Sequence, residues 1–245
     1  MTAVSWIPSE AVTGAVYKAP FGVGLSHYDD PPPDVLPDIE AFLAADRARF
    51  VNRLTAWVDV RDGVIVDYGH TGQGRIGSST LRIGGRGLTF AAVSLPDKQS
   101  AEPISQTAVR FEQTAGGRTG VPAPRRVSRP PYVEFFPPLA WSTLRLTLYA
   151  DGTREGELVG ASPFPRHWVY DADGRLTHKS ARIDYHEWST KAYGRHTPWG
   201  DVDSPAVVSE VETALERGLS LQIMHAGAKP QGPTAEGRRR TRRAG

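Results

Sequence analysis

The chain has 245 residues, 39 % of them hydrophobic, enough to bury a real core in one large or two small domains. It contains no cysteine, which excludes a disulfide framework, a zinc–thiolate centre and a thiol nucleophile. The net charge of +2 divides unevenly: in residues 226–245 Lys229 and five arginines face only Glu236, so this tail carries +5 and residues 1–225 carry −3. A basic nucleic-acid-binding face is therefore not expected of the body.

Residues 1–20 lack a basic segment followed by an apolar core, and no apolar run approaches the ~20 residues of a membrane helix. A soluble cytoplasmic protein without membrane contact is expected. Residues 1–36 read as an extended segment in which Asp29-Asp30-Pro31-Pro32-Pro33 is a connector. Asp34 and Pro37 then give helix start signals, and Ile39, Phe42, Leu43 and Phe50 fall near one face, which predicts an amphipathic helix over 37–50.

From Leu54 the apolar period changes to two, with Leu54, Ala56, Val58 and Val60 alternating with Thr55, Trp57 and Asp59. Asp62-Gly63, Asp151-Gly152 and Asp173-Gly174 each sit between apolar runs, and Asp-Gly readily supplies the positive φ of a tight turn, so each predicts a hairpin. Strands are predicted over 54–60, 64–68, 79–83, 88–95, 109–114, 132–136, 144–149, 154–159, 167–170 and 176–185. Residues 97–108 read as a polar link and 116–131 as a basic Gly/Pro loop with Arg118, Arg125, Arg126 and Arg129. About ten strands favour a mainly β fold, an antiparallel β-barrel of lipocalin-like kind, over an open sheet. Ser204-Pro205 starts a second predicted helix that runs through Leu219 and Ile223 to Met224. The expected division is thus an extended 1–36, a β-barrel domain with flanking helices over 37–225, and a disordered tail over 226–245. That tail could touch nucleic acid weakly.

Gly69-His70-Thr71-Gly72-Gln73-Gly74-Arg75-Ile76-Gly77 offers bare backbone amides after a strand. Both phosphate-cradling glycine motifs need a helix next, and 79–83 reads as a strand, so an interstrand loop is expected. His186-Glu187 is half of a metalloprotease motif, but Thr190 stands where the second histidine is needed, and no metal site is expected. Two segments combine cationic, titratable and stacking groups with turn residues: Ser162-Pro163-Phe164-Pro165-Arg166-His167-Trp168, and Gly194-Arg195-His196-Thr197-Pro198-Trp199-Gly200-Asp201. Arg166, His167, Trp168, His196, Trp199 and Asp201 are accordingly the candidate ligand-binding residues, against a plainer reading of the tryptophans as core plugs. No nucleophile motif orders a serine, histidine and carboxylate, and neither a catalytic set nor a cofactor is expected.

Phe21-Gly22-Val23-Gly24-Leu25-Ser26-His27-Tyr28, the stretch from Gln113-Thr114-Ala115-Gly116-Gly117 to Arg125-Arg126, and residues 160–176 and 194–224 carry a likeness. Over about residues 20–230 the chain resembles actinobacterial Crp-like proteins that contain a cyclic-nucleotide-binding domain. The resemblance implies that this region precedes a C-terminal cyclic-nucleotide-binding barrel, joined just after a Gly-Ala-Lys-Pro segment. Gly227-Ala228-Lys229-Pro230 is present, only 15 residues follow it, and they contain no phosphate-binding cassette. The expected function is a non-enzymatic β-barrel module binding a small ligand or a protein partner, with self-association into a homodimer left open. Two alternatives stand beside it. One is a lipocalin-like enzyme with His167 or His196 as base and Asp201 orienting it; the other is a transcriptional regulator, on the family resemblance alone.

Overall fold

The computed structural model describes residues 1–7, 32–36, 41, 50–83, 86–162, 165–181 and 196–201. All regular structure assigned among them is β, in antiparallel pairs. The first sheet contains β1 (Thr2–Ile7), β2 (Phe50–Arg61), β3 (Val64–Ile76), β13 (Arg166–Tyr170) and β14 (Leu176–Ala181), in the order β14-β13-β1-β2-β3. The second is built on β8 (Ala108–Arg118) and β11 (Leu139–Tyr149), with β12 (Arg154–Ala161) beyond β11. The other edge of β8 is shared by β6 (Val93–Ser94) and β7 (Lys98–Ser105). Three small ribbons complete the described part: β4 (Ser79–Ile83) with β5 (Arg86–Phe90), β9 (Ala123–Arg126) with β10 (Val133–Phe136), and β15 (His196–Thr197) with β16 (Gly200–Asp201).

All three Asp-Gly pairs turn hairpins, joining β2 to β3, β11 to β12 and β13 to β14. At the first, Asp62 and Gly63 both have positive φ, 51° and 78°, the backbone of a twist-matched two-residue turn. In the other two only the glycine does, and an aspartate carboxylate ties the loop: Asp151 accepts from the Thr153 N–H and hydroxyl, and Asp171 from the N–H groups of Asp173 and Arg175.

The two sheets stack face to face. Ala3, Leu54 and Ala56 from the first and Val109, Phe111, Leu144, Leu146 and Leu148 from the second make one buried apolar cluster. This is a layered packing, and the expected closed barrel is not found among the described residues. Along one side β3 meets β6–β7 through side chains, not through a ladder. The Gly74 N–H donates to Asp97 Oδ2 and the Gln99 amide to the Gly72 carbonyl. The bare Cα atoms of Gly72 and Gly74 let β3 lie over β8, because side chains there would collide with Gln113 and Ala115. Close approach of one face to another fills the space that edge-to-edge closure would use. Pro103, which has no N–H to give, sits in the edge strand β7.

The same glycines correct the reading of 69–77 as an interstrand loop, since β3 runs on to Ile76 and pairs with all of β2. Thr2–Ile7, read only as extended, is the central strand of the first sheet, and the polar link 97–108 contains β7. Phe50, placed at the end of the first helix, is instead the buried first residue of β2, opposite Ile7 and Ile76. The rest of that helix apart from Ala41, and the whole helix expected over 204–224, lie outside the described residues. Among the described residues no helix is long and apolar enough to cross a membrane.

Gly117 marks where the second sheet is tightest. A side chain there would run into the backbone of Val93 and Ser94, and backbone cannot rotate aside as a side-chain tip can. Gly117→Ala is expected to release β6 from β8 and cost about 1–3 kcal/mol. The check is urea unfolding together with faster exchange of the amides of residues 93–95.

Candidate functional site

Among the described residues the side of the sandwich opposite β3 is open. There β12, at the edge of the second sheet, faces β13 and β14 of the first across a cleft of about 490 Å³. Met1, Arg154, Glu155, Gly156, Glu157, Val169, Thr177 and His178 line it. Alternation along β12 decides which of its residues look inward. Arg154 and Gly156 pair with Leu148 and Leu146, which belong to the core, so both face the first sheet. Glu155 and Glu157 point outward and are engaged there, Glu155 with the Tyr149 hydroxyl at 3.3 Å and Glu157 with Arg145 at 3.2 Å. Arg145 also holds Glu112 at 2.7 Å, which raises its guanidinium pKa further.

Arg154 is the side-chain cation of the cleft, beside the N-terminal ammonium of Met1, which donates to the Ala56 carbonyl. Among the described residues Arg154 has no carboxylate within ion-pairing distance. Asp171, whose pKa its charge helps to lower, already accepts two backbone N–H groups. On the other wall His178 stands in register with Val169, and Thr177 donates its hydroxyl to the Val169 carbonyl. Gly156 forms the floor, where an added Cβ would lie 3.0 Å from Val169 and 3.2 Å from the Met1 side chain. A cation, an imidazole and an apolar floor together suit an anion that carries an apolar portion.

Behind His178 lies His167, with ring centroids 6.3 Å apart in edge contact. His167 is 2 % exposed, and burial, with the neighbouring His178 second, pushes its pKa down to about 4. It opens a polar row across the inner face of the first sheet, because Ser5 is in register with both His167 and Asn52. Asn52 donates across the interlayer gap to the carbonyls of Gln113 and Ser142, at 3.2 and 2.9 Å. Ser5 Oγ, Asn52 Oδ1, the Gln113 amide and His167 Nε2 are buried without a hydrogen-bond partner among the described residues.

The structure distributes the six predicted residues over different surfaces. Arg166 lies on the outer face of the first sheet, its guanidinium 5.1 Å from the Trp6 ring centre. Trp168 shares that face: it is 1 % exposed, meets Trp6 edge-on at 5.8 Å and lies under Lys179. His167, between them in sequence, points the opposite way, as strand alternation requires. Trp199 docks on the outer face of the second sheet with Leu95, Leu139 and Trp141. Its indole N–H donates to the Pro96 carbonyl at 2.7 Å, and Lys98 reaches the Pro198 carbonyl. The second sheet therefore stands between Trp199 and His167. His196 and Asp201 are cross-strand partners in the β15–β16 ribbon.

Arg154 and His178 were not singled out from the sequence. A signal was available, since each follows an Asp-Gly pair on the returning strand of a hairpin. Whether the two returning strands face one another is set by the packing of the sheets. Among the described residues no group of three or more His, Asp or Glu side chains is placed to hold a metal ion. No family model, curated protein or solved structure matches the chain.

Proposed function

We propose that this chain is a non-enzymatic binding module that takes a small anionic ligand, a carboxylate or phosphate ester with an apolar portion, between β12 and β14. The observation that carries the reading is Arg154: an inward-facing guanidinium in an open cleft, with the nearby acids committed elsewhere. A charge-assisted hydrogen bond from arginine to a carboxylate or phosphate is the strongest polar contact such a cleft can offer. The Met1 side chain and Gly156 supply the apolar surface, and the His178 imidazole a second donor or acceptor. This narrows the sequence-based expectation of a small ligand or a protein partner to the first of the two. The likeness to Crp-like proteins supports a regulatory setting for such a module, and rests on the sequence stretches named above.

Isothermal titration of the full chain with inorganic phosphate and with straight-chain carboxylates from acetate to octanoate tests the reading. Affinity is expected to rise with chain length, and Arg154→Gln to weaken it about ten- to a hundredfold. Absence of binding by all of these probes, or binding unchanged in Arg154→Gln, overturns it.

A further inference from the structure

We propose that the outward face of the β9–β10 ribbon is a binding surface for single-stranded nucleic acid. The register sets Val133 opposite Arg126 and Phe135 opposite Pro124, so these four side chains share one face. All four are exposed; Phe135 is 69 % and Val133 45 % accessible. Beyond the last pair the turn carries Arg129 and Tyr132, both exposed; the Val127 N–H donates to the Tyr132 carbonyl, so Tyr132 is one step out of phase with Val133. The opposite face carries Phe136, whose ring lies 5.2 Å from the Arg118 guanidinium, and Glu134. The ribbon thus keeps its carboxylate on one side and presents Arg126 and the open Phe135 ring on the other, with Arg129 in the turn. Among the described residues neither Arg126 nor Arg129 is paired with a carboxylate.

An exposed ring on a strand face beside an arginine serves two needs of a single strand at once. A base stacks on the ring, and a phosphate meets the guanidinium group. A second copy of the chain fits this face less well, because a two-fold pairing would bring Arg126 and Arg129 against their own kind. A membrane also fits less well. The tip that would enter it is Ser128, Arg129, Pro130 and Pro131, whereas Phe135 lies back along the ribbon, next to the Phe136–Ala123 pair that closes its far end. A ligand lying along the face reaches Phe135 and Arg126 and, at the turn, comes to Arg129.

The test is fluorescence anisotropy of a labelled 15-nucleotide oligo(dT) titrated with the full chain at low ionic strength. It is run on the native chain and on a chain in which Arg238, Arg239, Arg240, Arg242 and Arg243 are glutamine, so that the basic tail makes no contribution. Both are expected to bind. Phe135→Ala is expected to weaken binding about tenfold, while Phe135→Trp, which keeps a stacking ring, retains it. Arg126→Gln with Arg129→Gln should lower the slope of log affinity against log salt by roughly 1.4, about 0.7 for each phosphate no longer neutralised. Phe135 is largely exposed, so an unchanged melting curve is expected of Phe135→Ala; should it melt early, the arginine pair carries the test. Three results overturn the proposal: no binding by the tail-neutral chain, binding indifferent to all of these ribbon substitutions, or capture by phosphatidylserine vesicles without binding to the oligonucleotide.

Discussion

Truncating Phe111 to alanine is expected to cost about 3–5 kcal/mol, the range for removing a fully buried aromatic ring from a packed core. Phe111 is 0 % exposed and belongs to the cluster that joins the two sheets. Its ring meets Tyr68 at 6.0 Å and His70 at 5.5 Å, both from β3 in the opposite layer. Truncation therefore removes packing between the layers, and neither sheet can close the void by rearranging within itself. For a chain of this size the cost corresponds to a fall in melting temperature of roughly 10 °C. Chemical unfolding of Phe111→Ala against the native chain measures it. A cost below about 1 kcal/mol would mean that the two sheets do not stack through this ring.

Acid is expected to weaken the fold through His167. The folded-state pKa of about 4 lies below the ordinary histidine value of 6.5, so between these limits the unfolded chain binds a proton that the folded chain excludes. Stability contributed by the neutral imidazole is full above pH 6.5 and is lost as the pH falls towards 4. The loss approaches about 3 kcal/mol once both states are protonated, since each pH unit separating the folded and unfolded pKa values is worth ~1.4 kcal/mol. His167→Gln, which keeps a polar side chain of similar reach without titrating, should flatten this part of the pH–stability curve. Urea midpoints at about pH 7, 6, 5 and 4.5 for both proteins check it. An equal decline in the variant would assign the acid sensitivity to other groups.

What the sequence made legible followed from short-range physics. Asp62-Gly63 turns a hairpin because two adjacent residues can adopt positive φ, and that requires no knowledge of the rest of the chain. The alternation from Leu54 to Val60 likewise announced a strand with one buried face. The signal failed where both faces are covered: Ala3, Val4, Ser5, Trp6 and Ile7 are all buried, so β1 shows no alternation. It failed again in β7, where every side chain is exposed and only backbone pairing to β8 makes a strand. The glycines of β3 misled for a related reason. In isolation they are loop formers, whereas here their missing side chains are the space occupied by Gln113 and Ala115.

The predicted site illustrates the same division. Arg166, His167 and Trp168 combine cationic, titratable and stacking groups in one short segment, yet adjacent strand residues point to opposite faces, and only His167 enters the interior behind the cleft. The sequence by itself determined the β character, the antiparallel hairpins and the absence of thiol chemistry, since each depends on residue identity and near neighbours. The tertiary structure alone decided that two sheets stack without closing, and that their open edge brings Arg154 and His178 to one cleft. Strand order is set by pairings between residues more than a hundred positions apart, such as β1 with β13, and no local pattern encodes which edges they leave unpaired.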